Sequence, residues 1–317
     1  MDHGDTSKME NTQTLDKLYR PTELDEIVGN VTTVKAVKSL LNRPQDYPTS
    51  TLLQGPSGCG KTTLARLIAK ELNAIGRDLK EYNISDMRGI DAAREIIDII
   101  KIAPWGDRRV IILNECHKAT NEFQNAMLEV LEESPAGNHF ILCTTDPGKL
   151  LKTIKTRCTL FSVNTLVKRD LITLITQVIE NESGSLGTNV IETIAESAEG
   201  SPRQALVILD AIFDVESEKD QIELAVNYSI NKNGVFDLYK SLTTKTPWKK
   251  IAEIIKSMDR QDAENARYAM LALLERDILA GGAKGDRAVV VLDFFANSFY
   301  QSGRPGLTQA CYFASKA

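Results

Sequence analysis

Short apolar runs alternate with helical patterns from about residue 17 to 163. The runs Ser50–Gln54, Leu79–Ile84, Arg109–Leu113, Phe140–Thr144 and Thr159–Val163 read as strands of a buried parallel sheet. Between them, Thr62–Leu72, Gly89–Lys101 and Asn121–Glu133 place apolar residues at helical spacing. This alternation predicts a doubly wound α/β domain. Beyond about residue 164 only helical signals remain: Leu171, Leu174, Ile175 and Val178 share one face, and Gly184, Gly187 and Gly200 punctuate the segment. A second helical stretch runs from Val235 to the C-terminus. Asn231–Gly234 reads as the linker before it and Gly281–Gly285 as an internal turn, while Phe294, Phe295 and Phe299 suggest a broad buried helix surface. The polar N-terminus is expected to be flexible. The predicted divisions are 1–16, 17–163, 164–230 and 231–317.

Composition bounds this picture without redirecting it. A chain of 317 residues is long enough for roughly two or three domains. Its 42% apolar and 26% charged residues exclude a wholly disordered or collagen-like chain. No run approaches the ~18 apolar residues of a membrane-spanning helix, and the N-terminus lacks the apolar segment of a secretory signal. A cytoplasmic protein is expected. The net charge of −5 argues against bulk affinity for polyanions but leaves room for a local basic groove. The five cysteines, Cys59, Cys116, Cys143, Cys158 and Cys311, are odd in number and widely spaced, so neither a zinc knuckle nor a disulfide framework is expected. Reduced thiols are the simplest reading. His3, His117 and His139 form no spaced metal set.

The strongest chemical signal is Gly55-Pro56-Ser57-Gly58-Cys59-Gly60-Lys61-Thr62, which fits the phosphate-binding loop G-x-x-x-x-G-K-[ST]. Glycines let the backbone wrap so that successive N–H groups point at phosphate oxygens. The following helix start, Lys61–Thr63, adds its partial positive charge. Lys61 would reach the β- and γ-phosphates of ATP and Thr62 would hold Mg²⁺. The motif follows the apolar run Thr51–Leu53 and precedes a helical run, the strand–loop–helix context it requires. Val110-Ile111-Ile112-Leu113-Asn114-Glu115 resembles a Walker B strand, with Glu115 placed to polarise an attacking water. Asn114 stands where Asp is usual. Its amide can accept from a metal-bound water but brings no charge, which points to weaker Mg²⁺ affinity or slower hydrolysis.

These motifs, with several weaker ones in the same order, resemble the AAA+ sliding-clamp loaders. Leu18-Tyr19-Arg20-Pro21 with Val28-Gly29-Asn30 is similar to the family's adenine-pocket segment. Glu81–Asp91 resembles a stretch of replication factor C small subunits, Ile141–Pro147 a sensor-1 strand, Thr156-Arg157-Cys158 the Ser-Arg-Cys signature, and Gly200–Leu206 a sensor-2 helix start. The bacterial gamma and tau subunits carry a cysteine zinc module after the loop helix, and no cysteine lies between Cys59 and Cys116 here. The layout is therefore nearer to replication factor C small subunits and to the large clamp-loader subunit of tailed phages.

The resemblance implies a P-loop AAA+ α/β core with a parallel five-stranded sheet, then a helical lid, then an all-helical collar that assembles a ring. It implies an ATPase (ATP and water to ADP and phosphate) stimulated by clamp and DNA, with ATP and Mg²⁺ bound. Its partners would be other subunits, as a pentamer, plus the sliding clamp and primer–template DNA. The setting would be a replisome in the cytoplasm, or in the nucleus, depending on source. Arg157 becomes an arginine finger for the neighbouring subunit's site, or else a surface residue in a strand-leading turn. Arg203 reaches the γ-phosphate from the lid, and Thr145 senses it from the sheet edge. Tyr19, Arg20, Pro21, Val28 and Gly29 line the adenine. Arg88, Lys118 and Thr120 face DNA phosphates. The apolar loop Ile102–Trp105 either faces the clamp or tucks against the domain's own edge. Two other readings stay open: a weakly hydrolysing nucleotide-binding scaffold subunit, marked by Asn114, and another AAA+ DNA-remodelling ATPase.

Overall fold

Alternation within the strands sets the layering. The structure, a computed structural model, describes residues 13–231, 234–244, 246–258, 263–299 and 301–317. Two helices, α1 (Leu15–Leu18) and α2 (Val31–Leu41), precede the sheet. Strands β1 (Ser50–Gln54), β2 (Leu79–Asn83), β3 (Arg109–Asn114), β4 (Asn138–Thr144) and β5 (Thr159–Ser162) form one parallel sheet in the order β2-β3-β4-β1-β5. Leu53, Ile112, Ile141 and Phe161 cluster on one face with Leu64, Ala65 and Ile68 of α3 (Lys61–Glu71) and with Val34 and Val37 of α2. The intervening Leu52, Ile111, Leu113 and Leu142 cluster on the other with Ile96 of α4 (Ile90–Ile100) and Phe123 and Met127 of α5 (Asn121–Glu132). Each buried Leu or Ile contributes about 1.5–3 kcal/mol, so a register slip of one residue would turn both layers inside out. The order places the ends of β1 and β3 on either side of β4, where a parallel sheet opens a crevice at its carboxyl edge.

After β4 come α6 (Lys152–Arg157) and β5, then α7 (Lys168–Asn181), α8 (Thr188–Ser197) and α9 (Pro202–Ile212). Leu171, Ile175 and Val178 are buried on α7 as their shared face requires. The remaining helices are α10 (Glu218–Asn231), α11 (Val235–Thr243), α12 (Trp248–Ser257), α13 (Ala263–Ala280), α14 (Gly282–Phe295) and α15 (Gly303–Lys316). Among the described residues no helix is long and apolar enough to cross a membrane. All five cysteines are free; only Cys158 is not fully buried.

Several expectations are corrected. The chain divides into two compact units at Phe213/Asp214, upstream of the boundary expected at 230/231, because α10 contacts α11 and belongs with the C-terminal unit. Of the segment 1–16 expected to be flexible, Leu15 is instead buried in α1, which packs on α9 and donates its Leu15 N–H to Asp210. Residues 1–12 and the linker residues 232–233 lie outside the described residues. The turn expected over Gly281–Gly285 is shorter, since α14 already starts at Gly282 and Gly285 is buried within it. Phe295 and Phe299 are buried, but Phe299 lies past the end of α14. Arg157 sits in the last turn of α6 and not in an open turn before β5.

Candidate functional site

The loop after β1 is shaped by two close approaches. Gly55 has φ +152°, and a Cβ there would lie 1.9 Å from the Val163 carbonyl oxygen. Gly58 has φ +75°, and its Cβ would lie 2.3 Å from Ser201 Oγ at the start of α9. Only glycine fits either place. Gly60, in the left-handed region, caps α3. Lys61 is buried and donates from Nζ to the carbonyls of Gly55 (2.8 Å) and Pro56 (2.7 Å). Burial pushes its pKa below the ordinary lysine value, partly offset by groups that include Glu115.

This loop forms one wall of a cavity of about 540 Å³. The lining is of two kinds. Ser57–Thr63, Glu115 and Arg203 supply backbone N–H groups and charge, while Tyr19, Pro21, Val28, Leu174 and Val178 supply apolar surface. Arg20 also lines it. The arm before α2 is tied to the helices after β5. Tyr19 donates its hydroxyl to Glu182 at 2.5 Å, and its pKa is pushed up to about 12 by burial and by that carboxylate. Asn30 and Asn164 exchange two hydrogen bonds, of 3.0 and 2.8 Å. Gly29 packs under Leu166, outside the lining.

At the end of β3, Thr62 Oγ1 donates to Asn114 Oδ1 at 2.8 Å, and Asn114 Nδ2 donates to Glu81 Oε1 at 2.7 Å. Arg66, one turn along α3 from Thr62, clasps Glu81 with bonds of 2.8 and 2.9 Å. Glu115 adopts φ +54° and lines the cavity. Its carboxylate lies 3.6 Å from His117 Nε2 and 3.8 Å from Lys118 Nζ. Burial pushes the His117 pKa down, which favours the neutral ring at neutral pH. Its Nδ1 lies 3.3 Å from the Thr144 hydroxyl.

The other anticipated residues lie around this centre. Thr145 is half-buried just past β4, outside the lining. Arg157 is also outside it, held by Glu132 at 2.7 Å and by the Thr153 carbonyl at 3.1 Å. Arg88 donates to the Ser85 carbonyl, and its own carbonyl accepts from the Thr120 N–H. The Thr120 hydroxyl caps α5, accepting from the Phe123 N–H. Lys118 is exposed beside Glu115. Trp105 and Ile102 are 75% and 67% exposed, with the Arg77 guanidinium 4.8 Å from the Trp105 ring centroid. The Trp105 loop does not tuck inward. It is anchored by its backbone N–H groups donating to Asp78, itself beside buried Arg109. Sequence reasoning missed Arg66, Glu81 as a group near the centre, and Glu182. Glu81 opens the stretch that resembles replication factor C small subunits, but only the sheet register and the turn of α3 bring it to Arg66, and Glu182 meets Tyr19 from the end of α7.

A phosphate-cradling loop at the carboxyl edge of a parallel sheet, an acid at the neighbouring strand end and a helical cover define a P-loop ATPase of the AAA+ class. A family model described as DNA polymerase III, delta subunit, matches residues 77–167. The replication factor C small subunit of Methanococcus vannielii is 30% identical over 258 residues, covering 80% of this chain and 78% of that one. The DNA polymerase III subunit gamma of Buchnera aphidicola is 33% identical over 222 residues, covering 63% of this chain and 61% of that relative; the chain thus spans less than two thirds of its length. The RuvB Holliday junction branch migration motor of Thermotoga maritima shares the fold, with a TM-score of 0.55 at 20% identity over 71% of this chain and 79% of that one. The chain belongs to the AAA+ clamp-loader family that includes the replication factor C small subunits and DNA polymerase III gamma.

Proposed function

We propose that this protein is an ATP-hydrolysing subunit of a DNA sliding-clamp loader, which opens the clamp and places it on primer–template DNA. The observation that carries this reading is the cavity of about 540 Å³ that gathers Lys61, Thr62, Glu115, Arg203 and Tyr19. The loop N–H groups and Lys61 hold the ATP phosphates, and the apolar lining around Tyr19, Pro21 and Val28 takes the adenine. Thr62 Oγ1 and Asn114 Oδ1 form an oxygen donor pair of the kind Mg²⁺ prefers. Among the described residues no three His, Cys, Asp or Glu side chains cluster as a metal site, so the ion would arrive with the nucleotide. Held by Thr62 and Asn114, Mg²⁺ would supply positive charge to offset that of the phosphates. Glu115 orients the attacking water and accepts its proton. Arg203 couples the γ-phosphate to the helices after β5, which act as the lid.

Arg157, outside the lining of its own cavity, serves the neighbouring subunit's site, where such a cation is worth about 10³–10⁵ in rate. Thr145 aligns the water from the sheet edge. The starts of α4 and α5, with Arg88, Lys118 and Thr120, face the DNA backbone. Trp105 and Ile102 offer an exposed apolar anchor for the clamp. The C-terminal helices form the collar of a pentameric ring. ATP binding then favours one state of the assembly and hydrolysis releases it.

The test is the ATPase rate of the assembled complex with and without clamp plus primer–template DNA. Stimulation in the native complex is expected, and none would overturn the reading. The amide at 114 favours one second reading, a scaffold subunit that binds ATP without turning it over. Tight ATP binding with no turnover under full stimulation would select it.

A further inference from the structure

Glu115 carries the proton transfer of the proposed reaction, and its backbone is unusual. Its φ of +54° lies in the left-handed region, which a residue with a side chain adopts only where its surroundings enforce it. The enforcing feature is a short 3-10 turn, Cys116–Lys118, that Glu115 begins; the Lys118 N–H donates to the Glu115 carbonyl at 2.9 Å. The turn swings two polar side chains back to the carboxylate. His117 Nε2 and Lys118 Nζ stand 3.6 and 3.8 Å from the same oxygen, Oε2. Oε1 has no hydrogen-bond partner among the described residues.

The ring is aimed from its other side. The Thr144 hydroxyl, at the end of β4, accepts from the Asp146 N–H at 3.1 Å and lies 3.3 Å from His117 Nδ1. A carboxylate only accepts, so the nitrogen facing it, Nε2, carries the ring proton. The contacts then run one way: Asp146 N–H to Thr144, Thr144 O–H to Nδ1, and Nε2–H toward Glu115. Burial, helped by Lys118 and Lys149 and opposed by Glu115 and Asp146, favours the neutral ring. A neutral donor directs Glu115 without the loss of basicity that a close cation imposes. The 3.6 Å separation is longer than a formed hydrogen bond, and catalytic contacts of this kind tighten with substrate in place.

We propose that His117 is a positioning residue for Glu115: its ring, aimed by Thr144, takes Glu115 Oε2 and leaves Oε1 for the attacking water. This rests on the reading of the cavity as an ATPase site.

The test measures kcat of the assembled complex with clamp and primer–template DNA, beside affinity for a fluorescent ATP analogue. His117→Phe fills the space without the donor and lowers kcat about tenfold, with analogue affinity within about twofold of native. His117→Gln returns a donor near the Nε2 position and brings kcat to within about threefold of native. Thr144→Val keeps the shape but no longer aims the ring. It lowers kcat about threefold in the native background and not at all beside His117→Phe. His117→Phe as fast as native overturns the proposal while leaving the ATPase site intact. So does a Thr144→Val loss of the same size in both backgrounds. His117→Asn, too short to reach Glu115, repeats the loss with a smaller side chain, so the result can be read even if the phenylalanine variant folds poorly. A native complex that turns over no ATP fails the ATPase reading itself, and the proposal with it.

Discussion

In the C-terminal unit, Arg267 donates to the carbonyl of Phe295, Arg287 to those of Leu242 and Ala314, and Arg304 to that of Ile255. All four carbonyls lie in the last turns of helices, which leave carbonyls without partners inside the helix. These arginines close one helix end against another helix, and Tyr239 likewise donates to buried Asp277. Arg109 of the N-terminal unit does the same for the carbonyls of Ile99, Ile102 and Ala103, but the cations around the cavity are used differently. Arg203 lines the cavity with no hydrogen-bond or ion-pair partner among the described residues, and Lys61 donates to the loop that would hold phosphate. A cation satisfied by its own backbone stabilises a fold. One presented to a cavity is available to an anion. The contrast separates the cations that line the cavity from those that tie helices together in the C-terminal unit.

Substitutions that exchange these roles would break the contrast. Arg157→Ala should have the largest effect, lowering the ATPase rate of the assembled complex by about 10³-fold while a filter-binding assay finds ATP affinity within about threefold. Lys61→Ala should weaken ATP binding at least about 100-fold, as calorimetry would record, because one charge-assisted contact to phosphate is worth about 3 kcal/mol. In the other unit, Arg287→Leu should leave ATP binding unchanged. It should cost about 2–3 kcal/mol in denaturant unfolding, since two buried carbonyls lose their donor. Either Arg287→Leu weakening ATP binding or Lys61→Ala sparing it would erase the distinction.

The smallest effect concerns pH. Both histidines described, His117 and His139, lie in the N-terminal unit, and burial holds both pKa values below the ordinary histidine value. The unfolded chain then binds more protons than the folded one below about pH 6.5. Stability is therefore full above that pH and is lost as pH falls through the unfolded value toward the folded ones. His139→Gln keeps a donor for the Pro48 carbonyl, 3.1 Å from Nδ1 in the native protein, and should flatten part of that loss. Peptide-resolved hydrogen exchange at pH 5.5 and 7.5 should find the His-linked part of the change in the N-terminal unit alone, because the C-terminal unit contains no histidine.

The same contrast explains what the sequence could tell. All five strands were legible to within about two residues; β1, β3 and β4 are buried on both faces and so read as apolar runs, while the edge strands β2 and β5 are only partly buried. The phosphate loop was legible because its chemistry fixes residue type at every step from Gly55 to Thr62. Helix α2 was not, since Val34 and Val37 are the only residues it buries fully. Nor was the arm that α1 opens. The contact of Glu81 with Asn114 depends on a register pairing Glu81 with Ile112, two residue pairs before Asn83 and Asn114, and no local pattern encodes that. In the C-terminal unit the helical period gave one helical stretch with a single turn but not the separate helices, and one residue, Gly281, suffices to turn α13 into α14.

The central claim is that each ATP site is completed by Arg157 of a neighbour. Its most direct test mixes equal amounts of Lys61→Ala and Arg157→Ala protein before assembly and measures ATPase rate with clamp and primer–template DNA. Each variant alone should be nearly inactive. The mixture should recover about a quarter of the native rate, the chance that an intact phosphate site meets an intact Arg157 across a ring interface. A mixture no more active than the separate variants would contradict the account.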